Sequence, residues 1–381
     1  MEIESGVNGL ESVLHGYTGK KMLVLCRGDP DPDWLGAAKA LELFTKPMNI
    51  ELDFVSTAPV GCAQNQEEIV WLDMKVKMYT PVMSMKSYSS FGVLDAHGIE
   101  RRLVKDLNGL PWAFLIDHHD PNLNGMQPQF MDIRRDVGST CTIISSYIEE
   151  KGLLQSSNRI HRVTASALMY GIRVDTNSLK RAKPLDYHVL EYLSHFGDKD
   201  ALNRLFYQRM TQQDMDLQVK AWKGKVVEGA FVISGVGEIK PKNKVAMAFA
   251  ADKFIEVYGY NTALIYGIVG CTLQGSLRTC DPEIRPKLFL ESMFPQIYEW
   301  GGDCGGHETG GFAIPLEKVV EESSNKASQW ERVRTFVTYQ FFQALGKPVP
   351  IQSPLSGPKP RQTRRKEPHT ALLSPSHNHS H

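Results

Sequence analysis

The 381-residue sequence has no run of roughly 18 or more apolar residues, so no segment reads as a membrane-spanning helix. It has no net charge, because 43 Lys and Arg offset 43 Asp and Glu. That excludes a whole-chain basic field for gripping long duplex nucleic acid. Its six cysteines (Cys26, Cys62, Cys141, Cys271, Cys280 and Cys304) include no CxxC pair. Dispersed cysteines in a chain of this length read as reduced core thiols, not as a disulfide framework or a zinc knuckle. The opening residues lack the basic-then-apolar order of a secretory signal. No internal repeat occurs. The expectation is a soluble, cytoplasmic protein.

What is present is ample core material. Hydrophobic residues make up 42% of the chain, and its length suggests two or three domains. The neutral balance hides an asymmetry. From Lys347 onward there are six basic residues and one acid, so the tail is +5 and residues 1–346 carry −5. The last 35 residues also hold seven of the 21 prolines and four of the 12 histidines (His369, His377, His379, His381). Such a segment buries too little to offset its ordering entropy and reads as disordered over 347–381.

In the first half, apolar runs at 21–26, 51–56, 91–95 and 112–117 read as buried strands. Helical patterns at 34–46, 66–76, 138–151 and 159–172 separate or follow them. Strand and helix in alternation predict a parallel sheet covered on both faces, with ligands gathering at the carboxyl ends of its strands. Polar helical periodicity from about 184 to 224 predicts a connector. Strand pattern returns at 229–235, 261–270 and 271–279, with helices at 242–257 and 317–345. The last two strands abut and predict a hairpin in a mixed sheet. The fold class expected is α/β in two lobes, a parallel-sheet domain over 1–195 and a smaller mixed-sheet domain over 226–346. Residues 196–225 connect them, and the active site is expected in the cleft.

Three segments carry chemistry. The first, CRGDPDPDWLGAAKAL (26–41), follows the first strand. Pro30 and Pro32 favour extended backbone at Asp29 and Asp31, and in an extended segment Asp31 and Asp33 face one side. Two converging carboxylates repel unless a cation lies between them. The plain alternative is a turn residue followed by a helix cap. The second, LIDHHD (115–120), places adjacent histidines at a strand end, flanked by Asp117 and Asp120. Strand alternation sends His118 and His119 to opposite faces and thus to different tasks. Asp95 and Asp175 also end apolar elements. Such oxygen-rich sets with imidazole suit Mn²⁺ or Mg²⁺, and paired ions of this kind activate water against phosphorus. The third, GGDCGGHETGGFAIP (301–315), has six glycines in its first eleven residues, which lets backbone N–H groups approach an anion. His307 sits within it, and Arg278 offers a fork for phosphate. A flexible loop and a surface arginine are the bland alternative.

In this order the motifs resemble the DHH phosphoesterases, over roughly residues 20–345. Asp31 with Asp33, then Asp95, then Asp117-His118-His119, then Asp175-Thr176 match that family's four N-terminal motifs. GGHETGG (305–311) is similar to the glycine–histidine motif of its associated C-terminal domain. The subgroup most alike is the nanoRNase and 3′,5′-bisphosphate nucleotidase type. The resemblance implies one or two Mn²⁺ ions, with Mg²⁺ as the alternative, held by Asp31, Asp33, Asp95, His118 and Asp175. It further implies that Asp117 orients an imidazole, that His119 contacts the scissile phosphate, and that Arg278, Gly305, Gly306 and His307 hold substrate. The activity implied is hydrolysis of very short oligonucleotides, such as linear dinucleotides, to nucleoside monophosphates by metal-activated water. Small phosphoanhydrides or nucleoside 3′,5′-bisphosphates are the second reading. Arg27 stands where the family opens its first motif with a histidine ligand. Arginine has no lone pair for a metal, so it supplies a fixed charge or contacts a phosphate. A nucleotide-binding regulator without turnover is the third reading. Partners expected are a short oligonucleotide or small nucleotide, and an oligomer is compatible; no long duplex or membrane is expected. Alanine at Asp33 or His118 is expected to abolish turnover and leave the fold intact.

Overall fold

The computed structural model describes residues 6–61, 63–96, 98–120, 123–207, 210–306, 309–320 and 325–348. His307, Cys62 and the tail from 349 on lie outside the described residues. The chain divides into two compact units: one reaches to residue 220 and takes in 239–250, and the other holds 221–238 and what is described from 251 on.

In the first unit, six strands form one parallel sheet: β1 (Lys21–Cys26), β2 (Glu51–Ser56), β3 (Val76–Met78), β4 (Ser90–Leu94), β5 (Trp112–Asp117) and β6 (Phe130–Ile133). Their order is β3-β2-β1-β4-β5-β6, so the direction of winding reverses between β1 and β4. At such a reversal the connections leave to opposite sides and open a crevice at the strands' carboxyl ends. The helices are α1 (Gly6–His15), α2 (Pro32–Thr45), α3 (Ala63–Trp71), α4 (Arg101–Leu107), α5 (Thr140–Lys151), α6 (Arg159–Asp175), α7 (Pro184–Ser194), α8 (Lys199–Phe206) and α9 (Gln212–Gly224). Burial on both faces explains the unbroken apolar run of β1. Met22, Val24 and Cys26 join one core, and Leu23 and Leu25 join the other.

The second unit carries β7 (Lys225–Glu228), β8 (Phe231–Ile239), β9 (Thr262–Val269), β10 (Thr272–Thr279), β11 (Asp303–Gly305) and β12 (Thr309–Pro315) in the order β11-β12-β10-β9-β8-β7. β9 and β10 form the expected antiparallel hairpin. Helix α10 (Val245–Ile255) connects β8 to β9, and α11 (Pro286–Met293) and α12 (Lys326–Ala344) complete the element list. Leu290 and Met293 of α11 and Val333, Val337, Phe341 and Phe342 of α12 are buried in this unit's core. Among the described residues no helix is long and apolar enough to cross a membrane.

Three element expectations need correction. The helix placed over 66–76 ends at Trp71, because Asp73 takes a left-handed φ of 50° and the chain then enters β3. The helix placed over 317–345 starts at Lys326, where Asn325 accepts the N–H groups of Ala327 and Ser328. Residues 30–33 are not an extended run. Asp31 is the N-cap of α2 and accepts the Trp34 N–H, Pro32 occupies the first helical position, and Asp33 lies in the first turn.

Candidate metal centre

The crevice between β1 and β4 gathers the acidic motifs. Asp31 and Asp33 follow β1, Asp95 follows β4, His118 and His119 follow β5, and Asp175 ends α6. Asp33 is buried, and its carboxylate accepts the Ser139 hydroxyl at 2.5 Å, the Thr140 N–H at 2.7 Å and the Cys141 N–H at 2.8 Å. These donors are the opening of α5, so Asp33 neutralises a helix N-terminus while turning toward the cluster. Asp33 is therefore tied to the start of α5 as well as to the cluster.

Asp95 has a φ of 47°, a left-handed conformation that Asp tolerates better than most residues. It turns the chain sharply at the end of β4, where Thr140 Oγ1 lies 3.2 Å from Asp95 Oδ1. Asp175 arrives through close packing of α6 on α2. A Cβ at Gly171 would lie 2.8 Å from the Pro32 carbonyl and 2.6 Å from Cys141 Sγ. Only glycine lets α6 come near enough for Asp175 to join Asp33.

His118 is the focus of the cluster. Its Nε2 lies 3.0 Å from Asp175 Oδ2, 3.5 Å from Asp95 Oδ1 and 3.8 Å from Asp33 Oδ2. Yet this buried nitrogen makes no well-directed hydrogen bond. A buried nitrogen without a directed partner, ringed by three carboxylates, fits a hard divalent cation better than a closed hydrogen-bond network. Potential ligand atoms of Asp33, His118 and Asp175 lie within 4.8 Å of one another, as do those of Asp95, Asp117, His118 and His119.

His119 has different partners from His118, although the two rings do not point to opposite faces. Their centroids are 3.9 Å apart, because β5 ends at Asp117 and strand alternation ends with it. Asp117 is fully buried. Its Oδ1 accepts the N–H of His118 and of His119, and His119 Nδ1 lies 2.9 Å away.

Charge in the cluster is costly. Burial and the Asp175 carboxylate raise Asp33 above the ordinary carboxylate range, and burial with Asp33 and Asp31 raises Asp95 well above it. Desolvation and Asp33 push Asp31 up to about 7, although its solvent-facing side screens part of that effect. Burial opposes protonation of His118, but Asp175, Asp95 and Asp33 outweigh it and raise the imidazole to about 11. For Asp117 burial is outweighed by His119, and the carboxyl falls below its usual value. Without a cation, burial and mutual repulsion therefore disfavour the charged forms of Asp31, Asp33 and Asp95, while the neighbouring carboxylates favour a charged His118.

Beside the cluster lies a cavity of about 590 Å³, within the first unit. Arg27, which is exposed, lines it together with Gly28, Ala96 and Glu100 and with Asp31, Asp95, His119 and Asp175. Asp120, which flanks the histidines in sequence, is exposed and pairs with Arg135. Ser139 and Thr140 were missing from the sequence reading. The signal was there, because Gly-Ser-Thr ahead of an apolar helical run is a cap pattern. The buried Glu68, whose two oxygens lack hydrogen-bond partners, was also missed.

In the second unit Arg278 Nε bonds Asp252 Oδ1 at 2.6 Å, and its NH1 reaches Ser276 Oγ and the Leu277 carbonyl. Arg278 pairs with Thr309 across β10 and β12, and Gly305 pairs with Gly311, so the guanidinium and the glycine turn share one end of the sheet. Gly306 has a φ of 117°, and a Cβ there would lie 1.7 Å from the Thr309 carbonyl. Only glycine makes this turn.

No family model matches the chain. It is 29% identical over 328 residues to the uncharacterized protein MJ1633 of Methanocaldococcus jannaschii, covering 85% of this chain and 64% of that protein. The chain thus spans less than two thirds of that relative's length. It is 24% identical over 331 residues to MJ0988 of the same organism, covering 80% and 92%. In structure it is similar to an exopolyphosphatase-related protein from Bacteroides fragilis, with a TM-score of 0.63 at 13% identity over 89% of this chain and 97% of the other. The chain shares that protein's fold, and in motif order it resembles the DHH phosphoesterases.

Proposed function

We propose that the chain is a divalent-metal-dependent phosphoesterase that hydrolyses very short oligonucleotides, linear dinucleotides above all, to nucleoside monophosphates. The observation that carries this reading is His118 Nε2, buried among three carboxylates at the crevice of a parallel sheet. Asp31, Asp33, Asp95, His118 and Asp175 are the proposed ligands of Mn²⁺, with Mg²⁺ as the alternative. When bound, such an ion supplies positive charge that favours loss of a proton from water and offsets charge developing on a phosphoryl group. Asp117 fixes the His119 ring through Nδ1, and His119 is the proposed contact to the scissile phosphate. Arg27 offers a further cation on the same wall. Arg278, Gly305 and Gly306, with His307, are the proposed phosphate-binding element of the second unit.

A second reading, a small phosphoanhydride or nucleoside 3′,5′-bisphosphate, draws on one observation. Among the described residues, the imidazole of His119 is the one ring that lines the cavity. One experiment separates the readings. Purified chain in Mn²⁺ receives a 5′-phosphorylated dinucleotide, polyphosphate and a nucleoside 3′,5′-bisphosphate in parallel. Mononucleotide release from the dinucleotide at the highest kcat/KM supports the first reading. Preference for either small phosphate overturns it in favour of the second. Tight dinucleotide binding without hydrolysis of any of the three overturns both and leaves a binding protein.

A further inference from the structure

We infer that Asp186, which lies outside the proposed ligand set, is a positioning residue of the metal centre: it clamps the opening turn of α5, and that turn holds Asp33 and Asp95. The inference rests on the metal reading above and deepens it. Helix α5 does not cap itself. Ser139 is its N-cap residue, but the Ser139 side chain makes no capping bond and donates to Asp33 instead. The N–H groups of Thr140 and Cys141 also go to Asp33, and the Thr140 hydroxyl goes to Asp95. Residues 139–141 thus touch two of the proposed ligands, so a shift of this turn shifts both.

Asp186 fixes the residues that flank this turn. It lies in the first turn of α7 and is fully buried. Both of its oxygens accept the Gly138 N–H, at 3.0 Å each. Oδ1 also accepts the Thr142 hydroxyl at 2.5 Å, and Oδ2 accepts the Lys183 N–H at 2.6 Å. One carboxyl group therefore ties the residues immediately before and after 139–141 to the start of α7. A third ligand is reached by packing. Gly138 lies against Thr176, the residue after Asp175, so closely that a Cβ there would lie 2.5 Å from Thr176 Cγ2 and 2.8 Å from Asp186 Oδ2. The start of α5, the end of α6 and the start of α7 meet at this one buried side chain. Buried donors that lose such an acceptor must move or stay unpaired, and here the donors that would move adjoin the residues holding Asp33 and Asp95.

The test uses the full chain, stripped of metal with a chelator and titrated with Mn²⁺ in a calorimeter, with folding of each variant checked by circular dichroism. Asp186→Asn accepts with one oxygen only and turns an amide N–H₂ toward a backbone N–H. Asn158→Ala is the comparison, since it removes the N-cap of α6 at the end away from Asp175. The expected result is Mn²⁺ affinity lower by about 10-fold or more in Asp186→Asn and unchanged in Asn158→Ala. Unchanged affinity in Asp186→Asn, or an equal loss in Asn158→Ala, would overturn the inference and leave the metal reading standing. Where Asp186→Asn does not fold, Thr142→Val removes one donor to the same carboxyl group and decides instead: weaker Mn²⁺ binding supports the clamp, and unaltered binding overturns it. No Mn²⁺ bound by the unaltered chain would overturn the inference and the metal reading together.

Discussion

Asp33 and His118 belong to one cluster, yet their removal has different consequences. Asp33 accepts three hydrogen bonds at the start of α5, so Asp33→Ala leaves buried donors unpaired and costs about 1–3 kcal/mol of stability. His118 has no well-directed hydrogen bond to lose, but the surrounding carboxylates favour its charged ring, so His118→Ala should remove turnover, and its cost in the urea midpoint of the metal-free chain should shrink as pH rises. A cost that grows with pH would refute that account. Glu68 supplies a second case. It is fully buried, both oxygens lack hydrogen-bond partners, and burial with the nearby Asp31 charge holds its carboxyl well above the usual range. Retaining a proton above pH 4.5 makes the folded state progressively dearer there. Glu68→Met should therefore raise stability, by about 1–3 kcal/mol near neutral pH and by less at pH 4. Urea unfolding at both values decides it, and a destabilised variant at neutral pH would show that Glu68 has a partner worth more than its desolvation. The candidate ligands were legible in the sequence because aspartates and histidines ended apolar runs. Glu68 was not, since nothing in EEIVW distinguishes a buried carboxyl from a solvated one.

At the level of elements, β1 and β5 were legible to the residue because strands buried on both faces read as unbroken apolar runs, and β2 was placed to the residue although only its second half is buried. The short edge strands β3 and β6 were not, having too few residues to set a pattern. The convergence of Asp31 and Asp33 was anticipated for the wrong reason. A helix N-cap and first turn bring them together, not strand alternation. The approach of α6 to α2 was likewise invisible, because it depends on which atoms crowd Gly171. Gly171→Ala places a methyl group against the Pro32 carbonyl and Cys141 Sγ, at a cost on the order of 1–3 kcal/mol. Because α6 also delivers Asp175, the same variant should bind Mn²⁺ more weakly than the unaltered chain. Calorimetric titration showing unchanged Mn²⁺ affinity would separate that packing from the site.

For the molecule as a whole, proton uptake at the site is linked to folding and, in the proposed function, to metal binding. Asp31 rises from 3.8 to about 7 and His118 from 6.5 to about 11, so the folded state without metal binds more protons than the unfolded chain. Their contribution is fully present below pH 3.8 and pH 6.5 respectively and is lost as pH rises through the folded values. Stability of the metal-free protein from this source should decline between pH 5 and pH 9. Mn²⁺ must displace those protons, so the rise in Tm that it causes should grow over the same range. A thermal shift with Mn²⁺ that shrinks with rising pH would count against cation binding at His118. The central claim, that this cluster holds the metal on which phosphoester hydrolysis depends, is tested most directly by following dinucleotide hydrolysis by the chelator-stripped chain before and after Mn²⁺ is restored, with His118→Ala beside it. The account predicts silence without metal, recovery with Mn²⁺, and turnover lower by roughly 100-fold or more in the variant. Hydrolysis that survives metal removal, or that is undiminished in His118→Ala, would contradict it.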